Sequence, residues 1–179
     1  MNINFKKKKV LITGSTKGIG LGIAKKLNSL GCTVILNSRK KVSKNFLNKN
    51  FNFNVDYFKF DNCSNDDVKK KLKNIKRKYK SIDFLICNVG SSRTSQKKNK
   101  YIEEFNRMFE VNFFSNIFVI ENFLKIFKNK NFLKIICISS TSANYLSNAP
   151  LSYIVSKSAL NSYVKAKSKT LDKNATINA

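Results

Sequence analysis

The segment from Val10 to Leu30 restricts the possible folds more than any other part of this chain. A short apolar run, Val10-Leu11-Ile12-Thr13, leads into Gly14-Ser15-Thr16-Lys17-Gly18-Ile19-Gly20, and an amphipathic stretch follows from Ile19 to Leu30, ended by Gly31. Apolar strand, glycines and helix in that order make the first unit of a parallel sheet. Glycines let the backbone approach a phosphate closely, and the helix amino terminus offers free N–H groups and the positive end of its dipole. The spacing is G-x-x-x-G-x-G, not G-x-G-x-x-G. A tight strand-to-helix turn without a ligand is the other reading.

The same alternation continues along the chain. Further strands are predicted at Thr33 to Leu36, Val55 to Phe60, Phe84 to Cys87 and Leu133 to Ile138, with a sixth starting at Ala175. Helices are predicted at Asp66 to Tyr79, capped by Ser64 or Asn65, at Glu103 to Phe127, and at Ser152 to Thr170. Continuously apolar strands between helices imply an α/β fold, a doubly wound parallel sheet covered on both faces, with strand order beginning 3-2-1-4-5. Residues 40–54 read as a solvated loop or short helix, and the Lys/Asn-rich patches at 40–54 and 96–100 as exposed loops. No repeat or linker divides the chain, so residues 1–179 read as one domain.

Composition removes several function classes. The chain has no histidine, which excludes His-based triads and His-ligated metals. Cys32, Cys63, Cys87 and Cys137 show no metal-like spacing and read as buried, reduced thiols. The charged segment Met1 to Lys9 is no signal peptide, and no apolar run approaches the roughly 18 residues of a spanning helix. The reading is a soluble cytoplasmic protein without a metal or a membrane partner. Formal charge is +25, but the lysines are scattered, and abundant Lys, Asn, Ile and Phe follow from A/T-rich codons. No specific nucleic-acid partner is therefore expected, although the field favours anionic ligands. A purely electrostatic nucleic-acid binder is the remaining alternative from a different class.

Tyr153 and Lys157 stand one helical turn apart, so phenol and ammonium share a helix face. A cation near a phenol favours the phenolate and suits it to proton transfer. Ser140 lies thirteen residues upstream of that tyrosine, within Ser139-Ser140-Thr141-Ser142. After the second strand comes Asn37-Ser38-Arg39-Lys40, with no carboxylate. An acid there would bind the ribose hydroxyls of NAD(H), whereas cations suit the 2′-phosphate of NADP(H). NADP(H) is favoured, with Lys17 in reach of the same phosphate, and NAD(H) remains possible. Arg39 and Lys40 as ordinary surface charges is the other reading.

Thr13-Gly14-x-x-x-Gly18-Ile19-Gly20, Asp61, Asn88-x-Gly90, Asn112, Ser140 and Tyr153-x-x-x-Lys157 together resemble the short-chain dehydrogenase/reductase family, in its compact ketoreductase branch with the 3-oxoacyl-carrier-protein reductases. The resemblance implies a Rossmann fold and an oxidoreductase acting on a carbonyl/hydroxyl pair of a small molecule. It implies that Tyr153 is the general acid or base and that Lys157 supports it and meets the nicotinamide ribose. Ser140 would hold the substrate oxygen, and Asn112 would retain a relay water. The cofactor would lie along Gly14, Ser15, Thr16, Lys17, Gly18, Ile19, Gly20, Ser38, Arg39, Asp61, Asn62, Asn88, Val89, Gly90, Tyr153 and Lys157. Asp61 would meet the adenine amino group. Val89 departs from the alanine common at its position.

The resemblance also implies pairing of the Phe-rich helix and the Tyr153 helix in a homodimer or homotetramer. Family members continue past the residue matching Ala179, so the sequence reads as C-terminally truncated, lacking the last strands, with weak cofactor binding and poor turnover expected. A catalytically idle cofactor-binding fragment or regulatory subunit is the alternative.

Overall fold

A computed structural model describes residues 5–94, 101–127, 133–145 and 147–179. The first four residues of the charged amino-terminal segment and the whole 96–100 patch lie outside that description. Six strands form one parallel sheet: β1 (Lys9–Ile12), β2 (Thr33–Ser38), β3 (Val55–Lys59), β4 (Phe84–Cys87), β5 (Leu133–Cys137) and β6 (Ala175–Asn178). Their order is β3-β2-β1-β4-β5-β6, so the chain winds one way from β1 to β3 and the other way from β4 onward. The expected doubly wound sheet and its order are therefore present. The winding reverses between β1 and β4, which opens a crevice at their carboxyl ends.

The helices are α1 (Gly18–Ser29), α2 (Lys44–Asn50), α3 (Asn65–Tyr79), α4 (Tyr101–Phe109), α5 (Ser115–Ile126) and α6 (Leu151–Ser168). Ser43 caps α2 by accepting the Phe46 N–H at 3.1 Å, so part of the stretch expected to be loop is a short helix. Ser64 caps α3 in the same way from Asp67, with Asp66 and Asp67 in the first turn and Lys76, Arg77 and Lys78 in the last. Those charges complement the helix dipole at both ends. The Phe-rich segment is not one regular helix. Glu110–Phe114 forms a π-helical turn between α4 and α5. An apolar stripe does not reveal one extra residue in the spiral, which explains the miss.

Two apolar layers sandwich the sheet. On one face Leu72, Ile75, Ile120, Phe123, Phe127 and Leu160 cover Leu11, Leu85 and Ile135. On the other, Ala24 and Phe51 pack with Val10, Ile12, Val34 and Leu36. Phe123 stacks on Phe127 with ring centroids 4.4 Å apart. All four cysteines are free, but Cys63 is only half-buried, against the expectation that all four are interior. It follows Asp61-Asn62 in a turn beyond β3, where the π-helical turn covers it only in part, its Sγ lying 3.9 Å from Glu110 O. Phe123→Ala should cost about 3–5 kcal/mol in a denaturant titration, whereas Phe114→Ala, at an exposed ring, should cost under about 1 kcal/mol. Equal losses would contradict this assignment of the core face.

Candidate active site

Because all strands run parallel, Thr13, Asn37, Asp61, Asn88 and Ile138 arrive together at one end of the sheet. The ends of β1 and β4 are tied by side chains. Thr13 Oγ1 accepts the N–H of Asn88 at 2.9 Å and that of Val89 at 3.3 Å. Asn88 Nδ2 donates back to the carbonyls of Thr13 and Gly14, both at 3.1 Å. Ser15 is buried; its hydroxyl donates to Ile12 O at 2.8 Å and accepts the Asn37 N–H at 2.9 Å. The glycine loop is thus fixed from β2 and β4 alike.

Glycine is required here by space as well as by torsion. Gly14 has φ +60° and Gly18 φ +53°, values that favour glycine. A Cβ at Gly20 would press on the Asn88 amide and lie 2.6 Å from Gly14 O. The amino terminus of α1 emerges from this loop at Lys17 with no side-chain cap and no acidic residue in its first turn. Its leading N–H groups therefore lack the partners that α3 supplies for itself. Ile19, beside them, is 66% exposed. An open helix start, a close-approach loop and an exposed apolar contact fit the pyrophosphate of a dinucleotide.

At the β2–β3 side of that crevice, Asn37 is buried near the end of β2, after the apolar run Val34-Ile35-Leu36. It donates to Phe60 O at 3.0 Å and accepts from Asn62 Nδ2 at 2.7 Å and from Gly14 N at 3.3 Å. Asn62 is buried too, so its side chain supports the loop from below. Its Oδ1 has no hydrogen-bond partner among the described residues. Asp61 Oδ1 accepts the Cys63 N–H at 3.0 Å. Arg39, Lys40 and Lys17 are exposed. Burial, and then the carboxylates of Asp61 and Glu110, push the Cys63 thiol up to about 11, so it stays protonated.

The other end gathers Asn112, Lys157 and Gly90. A Cβ on Gly90 would lie 3.1 Å from both Asn112 Oδ1 and Lys157 Nζ, which shows how closely the three approach. Asn112 sits in the π-helical turn, fully buried. Its Oδ1 accepts the Ser91 N–H at 2.7 Å, and its Nδ2 donates to Ser91 O at 3.0 Å and Ser156 Oγ at 3.1 Å. Asn116 was not anticipated. Its Nδ2 bridges the carbonyls of Asn112 at 2.8 Å and Val89 at 3.2 Å. Its signal in the sequence was a second asparagine one helical turn after Asn112 on an otherwise apolar face.

Lys157 donates to Ile138 O at 2.7 Å. Burial lowers its ammonium to about 8. Tyr153 lies one turn before it on α6, and its carbonyl accepts from Ser156 Oγ at 2.8 Å. Ser140 opens a short 3-10 turn, Thr141–Ala143, and accepts the Ser142 N–H at 3.2 Å. That loop is sewn to α6 on both sides of Ser140: Ser139 Oγ donates to Asn161 Oδ1 at 2.6 Å, and Ser158 Oγ to Ala143 O at 2.9 Å. Ser140, Tyr153 and Lys157 are thereby carried by one connected piece of structure. Among the described residues no group of His, Cys, Asp and Glu could hold a metal ion, and no helix is long and apolar enough to cross a membrane.

Comparison with known proteins identifies the family of this chain. The sequence profile described as short chain dehydrogenase matches residues 8–179, and the chain belongs to that family. It is 28% identical to the 3-oxoacyl-[acyl-carrier-protein] reductase FabG of Aquifex aeolicus, covering the whole chain and 74% of that protein. It is 30% identical to Short chain aldehyde dehydrogenase 1 of Euphorbia lathyris over 88% of the chain, and 33% identical to Dehydrogenase/reductase SDR family protein 7-like of Dictyostelium discoideum over 63%. The chain spans 56% and 39% of the length of those two proteins. In structure it is similar to the NADH-dependent reductase A1-R' complexed with NAD, with TM-score 0.84 and 23% identity over 97% of this chain and 77% of that one. It is similar also to RhlG of Pseudomonas aeruginosa in an NADP complex, with TM-score 0.84 and 20% identity over 100% and 73%. Those two likenesses establish the fold.

The depressed Lys157 ammonium makes a prediction about stability. Its folded-state value, about 8, lies below the ordinary lysine value of 10.5. Between them the unfolded chain holds more protons at this residue, so its contribution to stability rises with pH. Thermal unfolding of the protein and of Lys157→Met from pH 7.5 to 10 should therefore show the difference moving in favour of lysine as pH rises. A pH-independent difference would contradict the burial cost assigned to this ammonium.

Proposed function

We propose that this protein is an oxidoreductase that exchanges hydride between NADP(H) and the carbonyl/hydroxyl pair of a small molecule, with residues 1–179 as one nucleotide-binding unit. The observation that carries this reading is the convergence of Lys157 and Asn112 at Gly90, with Tyr153 on the same helix as Lys157 and Ser140 on a loop sewn to that helix. When bound, a reduced nicotinamide would supply the hydride that the carbonyl carbon takes up in reduction. Tyr153 gives its phenolic proton to the carbonyl oxygen, and Ser140 donates a hydrogen bond to that same oxygen. Lys157 stabilises the negative charge left on the phenol. Asn112 holds the Ser91 backbone against Lys157 and joins the relay that returns a proton. In oxidation each transfer reverses.

The glycine loop and the α1 amino terminus are the proposed pyrophosphate site, with backbone N–H groups from Gly14 to Gly20 and the Lys17 ammonium. Asn88, Val89 and Gly90 flank the cofactor, and Asp61 takes the adenine edge. NADP(H) is preferred because Asn37-Ser38-Arg39-Lys40 presents exposed cations and no carboxylate. NAD(H) is the second reading, supported by a structural relative that carries NAD. A 3-oxoacyl thioester is the proposed substrate class, from the names of relatives such as the Aquifex reductase. Exposed Tyr101, Ile102 and Phe114 on α4 and the adjoining π-helical turn form the proposed contact with a second copy of the chain.

Tyr153→Phe should lower kcat for ketoreduction by about 10²–10⁴-fold while NADPH binding stays within about threefold. Unchanged turnover would sink the enzymatic reading and favour an idle cofactor-binding subunit. Arg39→Ala should weaken NADPH binding by about ten- to a hundredfold and leave NADH nearly unaffected. Equal effects on the two cofactors would remove the case for NADP(H).

A further inference from the structure

The loop that carries Arg39 is held from the neighbouring strand. Tyr57 lies in the middle of β3, paired with Leu36 of β2 in the parallel register. Its ring packs against the cluster that contains Val34, Leu36 and Phe51. Its hydroxyl leaves that cluster and donates to the carbonyl of Lys40 at 2.6 Å, with the carbonyl of Ser38 3.3 Å away. The Ser38 hydroxyl donates to the same Lys40 carbonyl at 2.7 Å, and the two hydroxyl oxygens are 3.2 Å apart. The carbonyls on either side of Arg39 are thus both in reach of one phenol, while the Arg39 side chain stands exposed.

Tyrosine suits this task because its apolar body is anchored by packing and its polar tip needs few torsions to be fixed. The Ser38 hydroxyl is the other donor to the Lys40 carbonyl, but it lies within the segment, whereas Tyr57 reaches it from β3. The chain has no regular structure from Arg39 until α2 begins at Lys44, and Arg39, Lys40 and Lys41 are all exposed. The Ser38 hydroxyl proton is directed at Lys40, so recognition of an anion falls to the guanidinium. Holding the backbone on both sides of Arg39 removes part of the ordering that binding would otherwise demand.

We infer that Tyr57 is a positioning residue for the 2′-phosphate of NADP(H): its hydroxyl fixes the Ser38–Lys40 backbone so that Arg39 meets that phosphate. This rests on the NADP(H) reading given above. The effect belongs to the 2′-phosphate alone, since an adenosine ligand without it makes no use of Arg39.

Calorimetric titration with adenosine 2′,5′-bisphosphate and with 5′-AMP tests this on the adenosine half-site. Tyr57→Phe should weaken the bisphosphate by about five- to tenfold and leave 5′-AMP within about twofold, which a general loss of structure would not do. Ser38→Ala, which removes the second donor to the Lys40 carbonyl, should shift the ratio in the same direction, and it serves in place of Tyr57→Phe if that variant does not fold. A bisphosphate preference abolished by Arg39→Ala but untouched by Tyr57→Phe, or by Ser38→Ala in its place, overturns the inference alone. A wild-type protein that binds the two ligands equally overturns the NADP(H) reading and the inference with it.

Discussion

The hydroxyl of Thr13, buried between the ends of β1 and β4, accepts the backbone N–H groups of Asn88 and Val89, while the Asn88 amide returns to the carbonyls of Thr13 and Gly14. Each of these groups would cost about 1–3 kcal/mol if buried without a partner, so the pairing fixes how the two strand ends sit. The consequences run both ways. Towards α1, the Asn88 amide occupies the space where a side chain at Gly20 would go, and the glycine loop closes over it. Towards α6, Val89 O and Asn112 O share the Asn116 amide, Asn112 grips the backbone of Ser91, and Ser156 links that grip to the turn before Lys157. One strand junction thereby sets the distance between the glycine-loop end and the Lys157 end of the crevice.

The helix termini show how the chain divides its polar groups between stability and binding. Ser64, Asp66 and Asp67 satisfy the start of α3 from within, and that helix carries lysines on its outer face. The start of α1 has neither cap nor carboxylate. With a net charge of +25 spread over the surface, an anion is favoured everywhere by field, and at α1 the uncapped helix start and the glycines add a shaped seat for one. Lys157 is the counter-example. Its ammonium is buried at a cost in stability, where a surface lysine would have none, and it meets Ile138 O and the neighbourhood of Gly90.

The sheet was legible because its strands are continuous apolar runs and its turns carry glycine or asparagine. Val10 to Thr13 and Phe84 to Cys87 admit no other placement, and the strand order follows from alternation with helices. The motif residues were legible by spacing. The π-helical turn was not, since the phenylalanines repeat at nearly helical intervals on either side of Asn112. The distant partners of Asn116 and Ser156 were hidden, because they lie 27 and 44 residues away in sequence. Tyr57 looked like one more half-buried strand residue, and only the parallel register with Leu36 brings its hydroxyl to Lys40. Asn37, like Asn116, gave a readable hint: a polar residue ending Val34-Ile35-Leu36 must find partners, and it does so in Phe60, Asn62 and Gly14.

The central claim is that a dinucleotide lies across the β1–β4 crevice, from the glycine loop to Lys157. Backbone amide resonances followed by NMR during titration with NADPH test it most directly. The account predicts saturable shifts at Gly14, Gly18, Gly20 and Gly90, with Leu171 and Ala175 at the opposite end of the sheet unmoved. Shifts confined to the lysines of α3, or no saturable change at the glycines, would contradict it.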